Sequence, residues 1–172
     1  MKICILKETT QNEKRVALVP DVAKKLINDG FEVFIESGAG KQSDFSDEDY
    51  TGVGVTAVEA DKIIPNADII FSVKMPNIES IKKMKAEACL IGLLNPYDNH
   101  EQLKALSENN VNAFSMELVP RSPRAQSMDV LSSQSNLAGY KAIVDSSSMF
   151  NRAMPMMMTA AGTIAPAKIF IM

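Results

Sequence analysis

The sequence of 172 residues contains no tryptophan, one histidine and two cysteines, and these shortages exclude several kinds of site. One His and two separated Cys cannot supply the four ligands of a structural zinc centre, and we expect no bound metal. The lone His100 lies among polar residues at the start of a predicted helix, so we expect it on the surface and find no Ser-His-Asp arrangement. Cys4 and Cys89 lie inside apolar runs, where we expect reduced and buried thiols.

An excess of positive charge and a long uninterrupted apolar segment are also missing. Eighteen Lys and Arg against 21 Asp and Glu give a net charge of −3, which excludes the basic surface that nucleic-acid binding requires. The most apolar stretch, residues 154–172, is interrupted by Pro155, Pro166 and Lys168 and does not predict a membrane-spanning helix. Since Met1-Lys2 leads directly into a strand-like run without secretory-signal features, we expect a soluble, cytoplasmic chain.

The glycine motifs that bind nucleotide phosphates are absent as well. The segment Ser37 to Gln42 vaguely suggests a phosphate loop, but a P-loop requires Gly where Ile35 stands and Ser or Thr where Gln42 stands. No G-x-G-x-x-G follows any predicted strand, so there is no complete Rossmann fingerprint. We interpret residues 37–42 as a glycine turn.

The sequence does contain a regular alternation of apolar strand-like runs and helical segments. The predicted strands are 2–6, 32–36, 68–73, 88–94 and 111–118, and the predicted helices are 20–29, 78–86 and 99–109. This alternation predicts an α/β fold, with a parallel flavodoxin- or Rossmann-like sheet covered by helices on both faces. We expect this N-terminal α/β subdomain to span residues 1–122.

From residue 123 to 150 the periodicity becomes helical and predicts a long connecting helix with a loop at its start. The residues on its polar side are Asp129, Ser132, Ser133, Asn136 and Tyr140, and apolar residues occupy the opposite arc. Asp129 is the only charged residue between positions 125 and 140, whereas a solvated helix face is rich in Lys and Glu. The polar stripe therefore favours a surface that faces a ligand or a neighbouring domain.

The last segment, residues 151–172, is rich in Met and interrupted by Pro, and it ends in the apolar run 167–172. That run predicts a buried strand that stops where a turn should follow. Because a domain rarely ends on an exposed apolar strand, we expect the chain to be truncated at the start of a further domain.

Several polar residues follow the predicted strands. The long connection after the first strand, residues 7–19, contains Arg15, and Lys74 and Asn95 follow the third and fourth strands. Arg121 lies just beyond the fifth. Ligands of open parallel sheets bind beyond the carboxyl ends of the strands, so these residues predict a site on one rim of the sheet.

Two segments carry a family resemblance. The residues Lys7-Glu8, Asn12 to Ala17 and Pro20 resemble the opening of the alanine dehydrogenase and nicotinamide nucleotide transhydrogenase family. The block ELVPRSPRAQSMDVLSSQSNLAGY, residues 117–140, is similar to the signature of the soluble NAD(H)-binding domain in the transhydrogenase branch, and residues 156–168 continue the similarity. The resemblance covers essentially the whole chain.

The resemblance implies a catalytic and cofactor-binding set of Arg121, Gln126, Asp129 and Ser132. Arg121 and Gln126 would hold the carboxamide and pyrophosphate side of NAD(H). Asp129 and Ser132 would orient the nicotinamide ring for direct hydride transfer to NADP(H) on a partner domain. The protein carries no general base for this reaction and needs none, because the cofactors supply the chemistry.

The resemblance further implies the N-terminal portion of an alpha subunit of the proton-translocating type, peripheral to the inner membrane through its complex. The implied partners are a Rossmann portion, a membrane domain and an NADP(H)-binding domain, and a homodimer is compatible with the family. The run 167–172 would be the first strand of the Rossmann domain, whose phosphate-binding glycines follow it. We therefore expect the isolated chain to be inactive and to bind NADH weakly.

Two alternatives stay open. The alanine dehydrogenase branch uses residues matching Arg15 and Lys74 to hold the amino acid, but it has a histidine where this sequence has Asn95. Amino-acid oxidation would then lack its proton acceptor, which favours the transhydrogenase branch. The other alternative is a non-catalytic remnant or assembly module that needs a partner chain.

Overall fold

The structure, a computed structural model, describes residues 1–171 of the chain. The chain folds as two compact units, Met1–Met128 and Asp129–Met172. The division into segments 1–122, 123–150 and 151–172 stays a prediction.

The first unit is built on a six-stranded parallel sheet in the order β3-β2-β1-β4-β5-β6. The strands are β1 (Lys2–Ile5), β2 (Glu32–Glu36), β3 (Thr56–Val58), β4 (Ile69–Lys74), β5 (Cys89–Leu93) and β6 (Asn112–Ser115). All the strand pairs of this sheet are parallel, which confirms the predicted α/β fold. The strand order reverses between β1 and β4, and in such sheets this point leaves a crevice beyond the carboxyl ends of the two strands.

Helices cover both faces of this sheet. They are α1 (Pro20–Asn28), α2 (Asp47–Thr51), α3 (Ala60–Ile63), α4 (Ile78–Lys82) and α5 (His100–Glu108). Successive side chains of β1 point to opposite faces, so Cys4 packs with residues of α3, α4 and α5, whereas Ile3 and Ile5 pack with residues of α1 and α2. Because the central strands are buried on both faces, they read as continuous apolar runs, as parallel strands typically do.

The edge strand β6 is shorter than the predicted run 111–118. It ends at Ser115 and passes into a 3₁₀ turn, Met116–Leu118. Its outer face is open, and Phe114 is 57% exposed. This turn leads the chain into the segment that carries the motif ELVPRSPRAQ.

The second unit contains α6 (Val130–Met149) and a hairpin of β7 (Met157–Thr159) and β8 (Gly162–Ile164). The expected strand at 167–172 does not form between residues 165 and 171, and Met172 lies outside the described residues. A strand requires a hydrogen-bonded neighbour, and β7 and β8 already pair with each other. A backbone bond from the N–H of Ala167 to the carbonyl of Met154, at 2.9 Å, ties the terminal segment to the rest of this unit.

Candidate functional site

The crevice between β1 and β4 is closed by a carboxylate of the chain itself. Glu8, just beyond β1, accepts hydrogen bonds from the backbone N–H groups of Val73 at 2.6 Å and Lys74 at 3.1 Å. Burial raises the pKa of the Glu8 carboxyl, although the two amide bonds oppose the rise. The carboxylate thus takes the amides that an open sheet could otherwise offer to an anionic ligand group.

Arg15 and Lys74, two of the residues predicted on the rim, act on one neighbouring carboxylate. The Arg15 guanidinium binds Glu13 through two nitrogens, with Nε to Oε1 at 2.7 Å and Nη2 to Oε2 at 2.6 Å. This bidentate bond, with a smaller electrostatic contribution from Lys74, lowers the pKa of Glu13 against the effect of burial. The structure therefore brings Arg15 and Lys74 to the same corner of the sheet.

Asn95, the third predicted rim residue, terminates β5 in a left-handed conformation with φ of 43°. Its side-chain amide donates to the Asp98 carboxylate at 2.7 Å. Its backbone N–H donates to Glu117, and the N–H of Leu94 donates to the other oxygen of Glu117 at 3.2 Å. Glu117 was not predicted as a site residue, and its one signal in the sequence is a carboxylate close to the end of a predicted strand.

Arg121 and Gln126 belong to the first unit and lie in the segment 119–128, which is folded as successive tight turns. The N–H of Ser122 bonds the carbonyl of Pro120 at 2.9 Å, and the N–H of Ala125 bonds the carbonyl of Ser122 at 3.0 Å. Ala125 is only 7% exposed, whereas the side chains of Arg121 and Gln126 are exposed. A buried alanine thus holds a turn that presents both polar side chains to the surface.

Asp129 and Ser132 belong to the second unit, where they bind each other at the start of α6. One Asp129 oxygen accepts from the N–H of Ser132 at 3.0 Å, and the other accepts from the Ser132 hydroxyl at 2.6 Å. Asp129 is therefore the N-cap of α6, a position that suits a carboxylate both as an acceptor and as a charge near the helix dipole. The pair fixes the orientation of a hydroxyl and a carboxylate at an exposed helix start.

A pocket of about 160 Å³ lies beside Glu8, and its lining includes Lys7, Ser72, Lys74 and Asn77. Ser72 is 5% exposed, and its hydroxyl has no hydrogen-bond partner among residues 1–171. A space of this size accommodates water or a small polar molecule, since one water occupies about 30 Å³ in the liquid. It is too small to enclose a dinucleotide.

Over the described range 1–171, no group of three or more His, Cys, Asp and Glu residues is arranged to hold a metal ion. Within that range, too, none of the helices combines the length and the apolar composition needed to cross a bilayer.

Comparison with known proteins gives the same family at the levels of sequence and fold. Residues 4–138 match the model of the alanine dehydrogenase/PNT N-terminal domain. The chain is 44% identical to an NAD(P) transhydrogenase subunit alpha protein of Rickettsia prowazekii over 178 residues, covering 100% of this chain and 46% of that protein. An alanine dehydrogenase of Halomonas elongata is 30% identical over 145 residues, covering 83% of this chain and 38% of the relative.

Among solved structures, the transhydrogenase of Sinorhizobium meliloti superimposes with a TM-score of 0.92 at 43% identity. That alignment covers 97% of this chain and 50% of the S. meliloti chain. The chain thus spans about half the length of the transhydrogenase relatives it matches.

Proposed function

Because this chain belongs to the alanine dehydrogenase/PNT N-terminal domain family, we propose that it supplies the nicotinamide-positioning loop of an NAD(P) transhydrogenase alpha subunit. The reaction is hydride transfer between NADH and NADP, the latter held on another domain. The observation that carries the proposal is the segment 119–132, in which four polar residues of one motif stand exposed or half-buried on tight turns and at a helix start.

The transhydrogenase branch is favoured over the alanine dehydrogenase branch by both similarity and chemistry. Identity is 44% to the R. prowazekii transhydrogenase subunit and 30% to the H. elongata alanine dehydrogenase. Oxidation of an amino acid needs a group that accepts a proton near the substrate. Asn95 cannot accept one at neutral pH, and its side-chain amide is already bonded to Asp98.

The proposed residues fit the groups of a nicotinamide nucleotide. Arg121 offers only donors, suited to a carbonyl or phosphate oxygen, and Gln126 offers both a donor and an acceptor, as a carboxamide requires. Asp129 and Ser132 are already oriented by their mutual hydrogen bonds. The bound cofactor supplies the hydride chemistry, while these side chains hold the ring in one orientation and exclude water from it.

The cradle for the pyrophosphate belongs, in this proposal, to the half of the relatives that this chain does not match. Nowhere in the sequence does the glycine fingerprint of a Rossmann domain follow a strand. The turn at residues 37–42 does not replace it, because Gly40 packs against Phe45 and Tyr50. We therefore propose that this chain alone binds NADH weakly.

Exposed apolar side chains support assembly with further domains. In the first unit, Phe114 and Leu118 are 57% and 53% exposed beside the sheet edge. In the second, Leu137 on α6 and Phe170 are 59% and 84% exposed. We propose that a Rossmann portion and the NADP(H)-binding and membrane domains of a transhydrogenase complex complete the protein, and that the chain is peripheral to the membrane through them.

The proposal is tested by combining this chain with a second chain that corresponds to the remaining length of the transhydrogenase relatives. We expect the pair to co-purify and to bind NADH, and Arg121→Ala to slow hydride transfer to NADP by about 100-fold, the scale of effect that misplacing a reactant produces. Arg152→Ala is the matched control, because it removes the same charge from an exposed site outside the loop.

An unchanged rate in Arg121→Ala would contradict the assigned site. A pair that co-purifies without binding NADH would instead favour a non-catalytic assembly module.

A further inference from the structure

We propose that Glu117 is a positioning residue that anchors the loop carrying Arg121 and Gln126 to the neighbouring strand. The inference rests on the proposed function, in which those two side chains contact NADH. Glu117 itself lies in the 3₁₀ turn Met116–Leu118 and points back to the sheet, so it acts through the loop rather than on the cofactor.

The geometry of the anchor is bidentate. One carboxylate oxygen accepts from the N–H of Leu94 at 3.2 Å, and the other accepts from the N–H of Asn95. These amides follow the last residue of β5, where the ladder with β6 has ended. Glu117 therefore extends the contact between the two strands past the point where their backbones separate.

An anchor matters at this place because β6 is the edge of the sheet. It pairs with β5 alone, and three of its four residues are exposed. Arg121 is the fourth residue after Glu117, and four extended residues span about 14 Å at most. Fixing Glu117 thus confines Arg121 to a short radius around the end of β5.

The next contact that holds the loop is the buried side chain of Ala125. Between Glu117 and Ala125 most side chains are exposed, and the backbone is held by local turns such as the bond from the N–H of Val119 to the carbonyl of Met116 at 3.3 Å. Losing the first anchor should therefore loosen the segment 119–124 before it affects the sheet.

The charge on Glu117 strengthens the anchor. Burial acts to raise its pKa, but hydrogen bonds from its own backbone and from the Ser115 side chain, with those from Asn95 and Leu94, outweigh burial and lower the pKa. The group is thus a carboxylate at neutral pH, and hydrogen bonds to a charged acceptor are stronger than neutral ones. A glutamine has one oxygen acceptor only and would turn its NH₂ group toward the second amide.

The alternative is that Glu117 merely stabilises the sheet. Asp68→Asn provides the comparison, because Asp68 makes the same kind of contact at the amino-terminal edge of the sheet, accepting from the N–H of Lys2 at 2.8 Å and from the Lys85 side chain. A purely structural acid should lower stability in both variants without a specific effect on the loop.

Hydrogen–deuterium exchange on the complete chain separates the two cases. In Glu117→Gln we expect exchange of the amides in residues 119–126 to rise about tenfold, the effect of losing roughly one hydrogen bond to a charged group. In Asp68→Asn we expect faster exchange at Lys2 and an unchanged loop. Equal loop exchange in Glu117→Gln and the unsubstituted chain would overturn the anchor.

Hydride transfer in the two-chain complex then tests the consequence of a loosened loop. Under conditions where all variants are folded, we expect Glu117→Gln to lower kcat about tenfold, Glu117→Asp to recover some of the loss, and Asp68→Asn to have no effect. A normal kcat in Glu117→Gln with a loosened loop would overturn the positioning role. If Arg121→Ala is also normal, the proposed function fails, while the exchange result still reports on the anchor.

Discussion

Removing the Glu8 carboxylate should destabilise the first unit through the two backbone amides that it satisfies. Glu8→Ala deletes the acceptor for Val73 at 2.6 Å and for Lys74 at 3.1 Å. A hydrogen bond to a charged group contributes about 1.5–3 kcal/mol, and a buried amide left without a partner costs about 1–3 kcal/mol. Val73 is 9% exposed, so water replaces its lost partner poorly.

The burial of Glu8 offsets some of this loss, because removing the side chain also removes a carboxylate that is costly to bury. The raised pKa of Glu8 reports that cost. We therefore expect a net loss of about 2–3 kcal/mol, near the lower end of the sum of two such bonds. That is a large share of a typical total stability of about 5–15 kcal/mol.

Urea unfolding monitored by circular dichroism measures this change. We expect the midpoint to fall in Glu8→Ala while the slope stays constant, and Glu59→Ala to change the stability by less than about 0.5 kcal/mol. Glu59 is a suitable control because it is exposed and its side chain makes no capping bond to α3. A loss below about 0.5 kcal/mol in Glu8→Ala would refute the role assigned to the two amide bonds.

The pH dependence of stability gives the same prediction an independent sign. The folded pKa of Glu8 lies above its ordinary value of 4.5, so the folded state binds this proton more readily than the unfolded state. Stability contributed by this group therefore decreases as pH rises from 4.5 through the folded pKa, and it is greatest below 4.5. Glu8→Gln should remove this downward contribution, and a steeper decrease in the variant would contradict the raised pKa.

Two further predictions test packing in the first unit. Gly40→Ala should lower the stability by about 1–3 kcal/mol, because a Cβ there would lie 2.6 Å from Cε2 of Tyr50 and 2.8 Å from the carbonyl of Phe45. Gly139→Ala on α6, where nothing lies within 4 Å, is the matched control and should be neutral or stabilising in thermal unfolding. Burial raises the pKa of the Cys4 thiol to about 12, so a thiol reagent should modify the half-buried Cys89 first; faster labelling of Cys4 would contradict its burial.

The central sheet was predictable because its strands are buried on both faces. The predicted strand 32–36 agrees with β2 in both bounds, and the runs for β1, β4 and β5 are within one residue of the observed bounds at each end. The short edge strand β3, Thr56–Val58, was not predicted, because three residues with a partly exposed pattern give too little periodicity to distinguish a strand from a loop.

The helix α2 was missed for a related reason. It has five residues, too few for a helical period, and it begins with a capping box in which Ser46 and Asp49 bond reciprocally. The sequence contained this signal, Ser followed by Asp at the third position, but the residue usually expected there is Glu or Gln. Short helices held by their caps are thus harder to predict than long helices held by an apolar face.

The candidate site was predictable as a set of positions but not as a set of contacts. Strand ends can be inferred from apolar runs, which is why Lys74 and Asn95 were correctly placed just at and after the ends of β4 and β5. The contacts of Glu8 and Glu117 depend on which strands are neighbours. That order follows from packing of the whole sheet, and the local sequence does not contain it.

The carboxyl edge of the sheet repeats one arrangement, an acid beside one strand bonded to the amides at the end of its neighbour. Glu36 at the end of β2 accepts from the N–H of Lys7 at 2.9 Å, Glu8 closes the end of β4, and Glu117 closes the end of β5. In many α/β proteins such free amides bind the anionic group of a ligand. Here they are bonded to carboxylates, whose charge would also repel a phosphate.

This arrangement determines what kind of contact the unit can make with a dinucleotide. Its strand ends are poor partners for a pyrophosphate, so recognition has to come from side chains that project beyond the sheet, as Arg121 and Gln126 do. Side chains on a turn can be oriented accurately only if the turn is fixed to the sheet. The same carboxylate that removes two amides from ligand binding at β5 provides that fixation, because Glu117 stands at the start of the turn.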